Sequence, residues 1–143
     1  MDMKKFVLAV VVVFVIAMAT NFLVHGMLLL PTYEQLQSDQ NTFRASAQMD
    51  AKMWIMWVAW ALVSLMFVWV YLRGMENKPW VGQAIRYAIV IWLFVVVPAT
   101  LDQYVLYRIP YTLALTWMAV GGVQVLLASL ATAAICKKAP AAA

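Results

Sequence analysis

Histidine is the side chain best suited to chemistry near neutral pH, because it can accept, donate or hold a proton there. This chain has a single one, His25, four residues after Asn21 near the end of a long apolar run. On a helix that spacing puts both on one face, one to two turns below the predicted outer surface. Asp102 stands at a similar depth in another apolar run, followed by Gln103, Tyr104 and Tyr107. Two arrangements follow. In one, His25 and Asp102 meet across the helices, the carboxylate orients the imidazole, and Asn21 completes a polar pocket able to take a small molecule or a lipid. In the other, His25 bonds a neighbouring carbonyl while Asp102 reaches the interface beside Arg108, as charges at helix ends commonly do.

The remaining polar inventory is short. Gln124 lies near the middle of its apolar run, and Ser64 and Thr100 can bond back to their own helices. The one cysteine, Cys136, has no partner for an internal disulfide, and no Cys/His cluster exists to hold zinc, iron–sulfur or covalently attached haem. With one histidine, two-histidine haem ligation within the chain is impossible, so no metal site is expected and no cofactor is predicted. A single-ligand role for His25 toward haem or a chlorophyll-type pigment would announce itself as a visible absorption band. No Ser/His/Asp order, HExxH, paired carboxylates or glycine-rich phosphate loop is found, which argues against an enzyme. Transport would call for discontinuous helices in paired halves or several ionisable residues along a path, and neither is evident. Trp54, Trp57 and Trp60, continued by Ser64 and Phe67, recur at helical spacing and form a contact stripe for a partner helix, lipid, quinone or pigment. Gly121 and Gly122, with Ala128, Ser129 and Thr132, make a low-bulk side where another helix or a lipid can approach closely. Arg73 and Arg86 suit anionic lipid headgroups, and they also suit topology alone.

The elements that carry these residues are read from composition. Of 143 residues 66% are apolar and 11% charged, against about 45–50% and about 25% in soluble globules. The excess lies in four runs, 6–30, 53–72, 87–107 and 111–136, each long enough to cross about 30 Å of hydrocarbon at about 1.5 Å per residue. The expected fold is therefore an all-α membrane protein, an antiparallel bundle of four transmembrane helices in one domain, with spans near 6–30, 52–73, 83–107 and 111–136. Ala17-Met18-Ala19 imitates a signal-peptide cleavage site, but the apolar run continues through Leu30, so an uncleaved span is expected.

Charge sets the orientation. Lys4, Lys5, Arg73, Lys78, Arg86, Lys137 and Lys138 fall on one side, and Arg44, Lys52 and Arg108 on the other, which puts both termini in the cytoplasm. The net charge of +4 thus reports topology, and no nucleic-acid surface is expected. Outside, Thr32-x-x-Gln35 and the rhythm of Tyr33, Leu36, Phe43 and Ala47 suggest an interfacial helix in the loop 31–51, with an irregular loop as the alternative. Asp50 is placed to begin the second span and Gly74 to end it in a left-handed conformation. Asn77 is the cap candidate for the third, which Pro98 should kink.

Three stretches carry a resemblance. Asn21-Phe22-Leu23-Val24-His25-Gly26-Met27-Leu28-Leu29, Tyr71-Leu72-Arg73-Gly74, and 102–111, which reads Asp-Gln-Tyr-Val-Leu-Tyr-Arg-Ile-Pro-Tyr, resemble a group of small four-span proteins of bacterial inner membranes. The most specific parts are Asn-x-x-x-His-Gly at the end of the first span and Gln-Tyr-x-x-Tyr-x-Ile-Pro before the fourth. The resemblance implies four spans and a bacterial inner (cytoplasmic) membrane. It implies no activity, since the group has none assigned, and asparagine often stands there at the position of Asp102. The expected function is that of a non-catalytic integral subunit packed against other membrane subunits, in a complex such as one of respiratory or photosynthetic electron transfer. A small-molecule or lipid binder or transporter using the outer-side polar pocket around His25 is the alternative.

Overall fold

The computed structural model describes residues 2–40 and 46–137, so Phe43, Arg44 and Lys138 lie outside the described residues. Every regular element among them is helical: α1 (Met3–Leu23), α2 (Leu30–Gln40), α3 (Ser46–Asp50), α4 (Met53–Arg73), α5 (Trp80–Ile91), α6 (Val97–Leu106) and α7 (Tyr111–Cys136). A π turn at Val24–Leu28 extends α1, and a second at Trp92–Val96 joins α5 to α6. Four helices are long and apolar enough to cross a membrane: Met3–Leu28, Met53–Arg73, Trp80–Leu106 and Tyr111–Cys136. The protein is an all-α, multi-pass membrane bundle.

The backbone of each span satisfies itself, as hydrocarbon demands, and the breaks are explained residue by residue. The Asp2 side chain accepts from the N–H groups of Lys4 and Lys5 and caps α1. Pro31 falls in the first turn of α2, where no intrahelical N–H is required. Pro98 removes a donor from the third span; the chain answers with the π turn, in which Val97 N–H reaches back to the carbonyl of Trp92. The break expected at Pro98 takes the form of this π turn over Trp92–Val96.

Three expected caps are replaced. Asp50 ends α3, and Lys52 precedes α4 without a side-chain capping bond. Gly74 is not left-handed (φ −95°, ψ 6°), since its N–H closes on the carbonyls of Val70 and Tyr71 with ordinary angles. Asn77 does not cap α5, which starts after Pro79. Buried Gln83 organises that turn, its Oε1 accepting from Glu76 N–H and its Nε2 donating to the Lys78 carbonyl, both at 2.7 Å.

The spans α1 and α7 run antiparallel. Ala9, Val13, Phe67, Val68, Ala128 and Cys136 form one buried cluster, and Tyr71, Ala84 and Ala133 a second. The largest fully buried side chains are only Val68, Thr132, Ser64 and Ser129. Cores this fine-grained are what membrane bundles need, because dispersion at close backbone approach replaces the hydrophobic effect. Gly121 and Gly122 serve that purpose inside the chain: a Cβ there would stand 2.6 Å from Val96 Cγ1 and 3.1 Å from Trp92 Nε1 respectively. The expected seam exists, and the third span rather than a partner or lipid fills it. Side-chain hydrogen bonds tie the spans in pairs: Tyr87 to the Phe67 carbonyl at 2.7 Å, Trp92 to the Met118 carbonyl at 2.9 Å, and Gln124 to Thr20 Oγ1 at 2.7 Å and the Ala17 carbonyl at 3.1 Å.

Candidate functional site

His25 sits within the first π turn, at the end of the bundle opposite the start of α1 and the end of α7. Its Nδ1 lies 2.5 Å from the hydroxyl of Tyr33, and the indole Nε1 of Trp117 donates to the same hydroxyl at 2.7 Å. The rings form a compact trio: His25 and Tyr33 are stacked within 7° at 6.0 Å, and Trp117 tilts against both at 6.3 and 6.2 Å.

Why Tyr33 reaches His25 follows from the backbone. Eight residues of straight helix would separate them by about 12 Å along the axis. The π turn, followed by the bend at Leu29, tips α2 over instead, so Tyr33 and Leu36 pack on Ile109, Leu113 and Ala114 at the start of the last span. A helix is present where the sequence suggests one, but α2 begins at Leu30, so Thr32 lies inside it instead of capping it, and the helix folds onto the bundle. An indole N–H can only donate, so the Tyr33 oxygen accepts from Trp117, while the direction of the bond to His25 is set by the imidazole tautomer. Burial pushes the Tyr33 hydroxyl up to about 12, against a smaller opposing effect of the Trp117 donation. The group is therefore a neutral phenol at physiological pH. With the imidazole proton on Nε2, a directed chain runs from the Trp117 N–H through the Tyr33 O–H to His25 Nδ1.

The structure does not bring His25 to Asp102. Asp102 is exposed on α6 and makes no hydrogen bond or ion pair among the described residues. Asn21, one turn below His25, has a buried amide Nδ2 with no hydrogen-bond partner among the described residues. Among the predicted pocket residues, Asn21 and His25 remain neighbours on one helix, and Tyr33 and Trp117 take the place given to Asp102. The sequence alone places Tyr33 on an interfacial helix and assigns Trp117 no role. The usable signal was a donor-only indole inside an apolar span, which needs an acceptor at its own depth.

The tryptophan stripe divides in two. Trp54 and Trp57 are 62% and 57% exposed, Trp60 is half-buried, and Ser64 and Phe67 are buried. Gln124, Thr20, Ser64, Thr100 and Thr132 all use their polar atoms within the bundle. Among the described residues no three His, Cys, Asp or Glu side chains gather in a way that could hold a metal ion, and Cys136 is a free, buried thiol. What the trio can do chemically is orient an imidazole and leave its Nε2 edge for a further partner. Compared with known proteins, the chain matches no protein family, no curated protein and no solved structure.

Proposed function

We propose that this chain is a non-catalytic integral membrane subunit that packs, through the far half of α4, against a larger assembly in a bacterial inner membrane. Both termini face the cytoplasm in this reading, in keeping with the cations Lys4, Lys5, Arg73, Lys78, Arg86 and Lys137 near the terminal end of the bundle against Lys52 and Arg108 at the other. A complex of respiratory or photosynthetic electron transfer is the class of assembly proposed. One observation carries the reading. Over residues 54–63 every residue is exposed except half-buried Trp60, whereas Ser64, Phe67, Val68 and Tyr71 beyond them are buried. The helix is held by its own bundle at one end and bare for more than two turns at the other. Lipid can cover aliphatic surface, but three tryptophans step inward along that stretch, Trp60 about 9 Å deeper than Trp54. An interfacial belt accounts for Trp54 and not for the deeper pair; a protein contact accounts for all three, tryptophan being enriched where interfaces bury their central residues.

The test is purification from native membranes with co-migrating polypeptides identified and a full absorption spectrum recorded. A stoichiometric companion that dissociates when Trp54 and Trp57 are both replaced by Ala supports the proposal. Migration as a free monomer contradicts it.

A second reading, a small-molecule or lipid binder built around His25, is favoured by one observation: the buried, unpartnered Asn21 amide one turn below the imidazole. Ligand-dependent thermal stabilisation abolished by His25→Ala would support it.

A further inference from the structure

A cleft of about 510 Å³ opens between the start of α1, the end of α4 and the end of α7. Each of the three helices brings one cation to it: Lys5, Arg73 and Lys137. The single acid in the wall, Asp2, directs its carboxylate at its own helix, accepting from Lys4 N–H at 3.0 Å and Lys5 N–H at 3.3 Å. Both ion pairs among the described residues consume Glu76, with Lys78 at 2.5 Å and Arg86 at 2.7 Å. Arg86, paired with Arg73 as a headgroup candidate from the sequence, is therefore engaged elsewhere, while Lys5, Arg73 and Lys137 have no carboxylate in salt-bridge contact among the described residues. Two of the three are held without being neutralised: Arg73 lies 5.0 Å over the ring of Trp69, and Lys137 5.6 Å over that of Trp80. The floor between them is apolar, from Phe6, Leu72 and Met75. Cations above an apolar floor, at the level of tryptophans that favour the membrane–water boundary, match a phosphate with acyl chains attached.

We propose that this cleft binds the phosphate of an anionic glycerophospholipid. The planar Arg73 guanidinium takes the phosphate oxygens in a two-pronged contact, Lys5 and Lys137 flank it as point charges, and an acyl chain lies along Phe6 and Leu72. This inference is independent of the partner surface on α4.

The test uses the full chain in nanodiscs of phosphatidylcholine with increasing phosphatidylglycerol, reading retained lipid by native mass spectrometry after release. Wild type is expected to retain phosphatidylglycerol in preference to phosphatidylcholine. Each cation removed, in Arg73→Gln and then Lys5→Gln/Arg73→Gln/Lys137→Gln, should weaken retention about fivefold, from roughly 1 kcal/mol per cation at a charged membrane surface. Arg108→Gln removes the same charge at the opposite end and should leave retention unchanged. Equal retention of both lipids, an unaffected triple variant, or an equal loss in Arg108→Gln would overturn the proposal. Millimolar inorganic phosphate that displaces the lipid completely would also overturn it, by marking a small-anion site. Thermal midpoints in pure phosphatidylcholine report folding of every variant independently of the lipid.

Discussion

Adding one methyl group at Gly121 tests the contact between the third and fourth spans directly. A Cβ at that position would stand 2.6 Å from Val96 Cγ1, 3.6 Å from Cγ2 and 3.7 Å from Cβ. Carbon atoms settle at about 3.5–4.0 Å, so the nearest methyl must retreat by about 1 Å. Valine cannot yield by a small twist, because its branched side chain has one strongly preferred rotamer on a helix. Its backbone is held too, since the Val96 carbonyl accepts from Thr100 Oγ1 at 2.7 Å within the widened turn. Gly121→Ala should therefore cost about 1–3 kcal/mol, the range for overpacking a well-fitted interior. Gly82 is the control: nothing lies within 4 Å of a Cβ there, so Gly82→Ala should be neutral or stabilising by up to about 1 kcal/mol through helix propensity. Val96→Ala removes the clashing methyl, and in that background Gly121→Ala should lose most of its cost, a coupling of about 1–2 kcal/mol. The assay is reversible unfolding in mixed micelles, titrated with dodecyl sulfate and followed by far-ultraviolet circular dichroism. The reasoning fails if Gly121→Ala matches Gly82→Ala, or if its cost persists undiminished beside Val96→Ala.

Other expectations follow from single groups. Tyr33→Phe leaves the Trp117 indole N–H without its acceptor and should cost about 1–3 kcal/mol. Trp117→Phe lets Tyr33 keep His25, so its hydrogen-bond loss should be smaller; Trp117→Phe costing less than Tyr33→Phe in the same unfolding assay is the check. Ser129 Oγ is buried with no hydrogen-bond partner among the described residues, so Ser129→Ala should be neutral or stabilising, and a loss above about 1 kcal/mol would mean that the hydroxyl has a partner. Hydrogen bonds from Lys78 and Arg86 hold the Glu76 carboxyl at about 2, below the ordinary 4.5. A carboxyl depressed on folding contributes its stability above the unfolded value and loses it as pH falls through the folded one, so the pairing at the 74–79 turn should fade between about pH 4.5 and 2. Carbon-13 titration of Glu76 checks this, and an ordinary carboxylate midpoint would refute it.

Hydropathy made the four spans legible because lipid imposes a length and an apolar composition that few other structures share. The last span falls at the expected residues, 111–136, and the others move by only a few positions at their ends. Pro98 was legible as a break, since a missing N–H in hydrocarbon has to be answered somewhere. The caps at Asp50, Gly74 and Asn77 were not. Each depends on the exact residue at which a helix starts or stops, and Gln83 fixes one such turn through contacts that no local pattern announces. The environment of His25 was legible only by half. The stacking of Asn21 and His25 on one face follows from helix geometry, but the partner depends on the direction in which the chain leaves the membrane after Leu29. A one-residue widening at Val24–Leu28 redirects α2 and brings Tyr33 inward, while Asp102 stays exposed on α6.

The far half of α4 is the surface on which the account turns, and a photoreactive amino acid placed there reads its neighbours without assuming what they are. The probe is set at Trp57 in the cells that normally make the protein, with a matched probe at Phe94, which is 79% exposed on the third span. Irradiation in intact membranes is predicted to join Trp57 to one discrete protein and Phe94 to lipid alone. Lipid adducts alone from both positions would contradict the account.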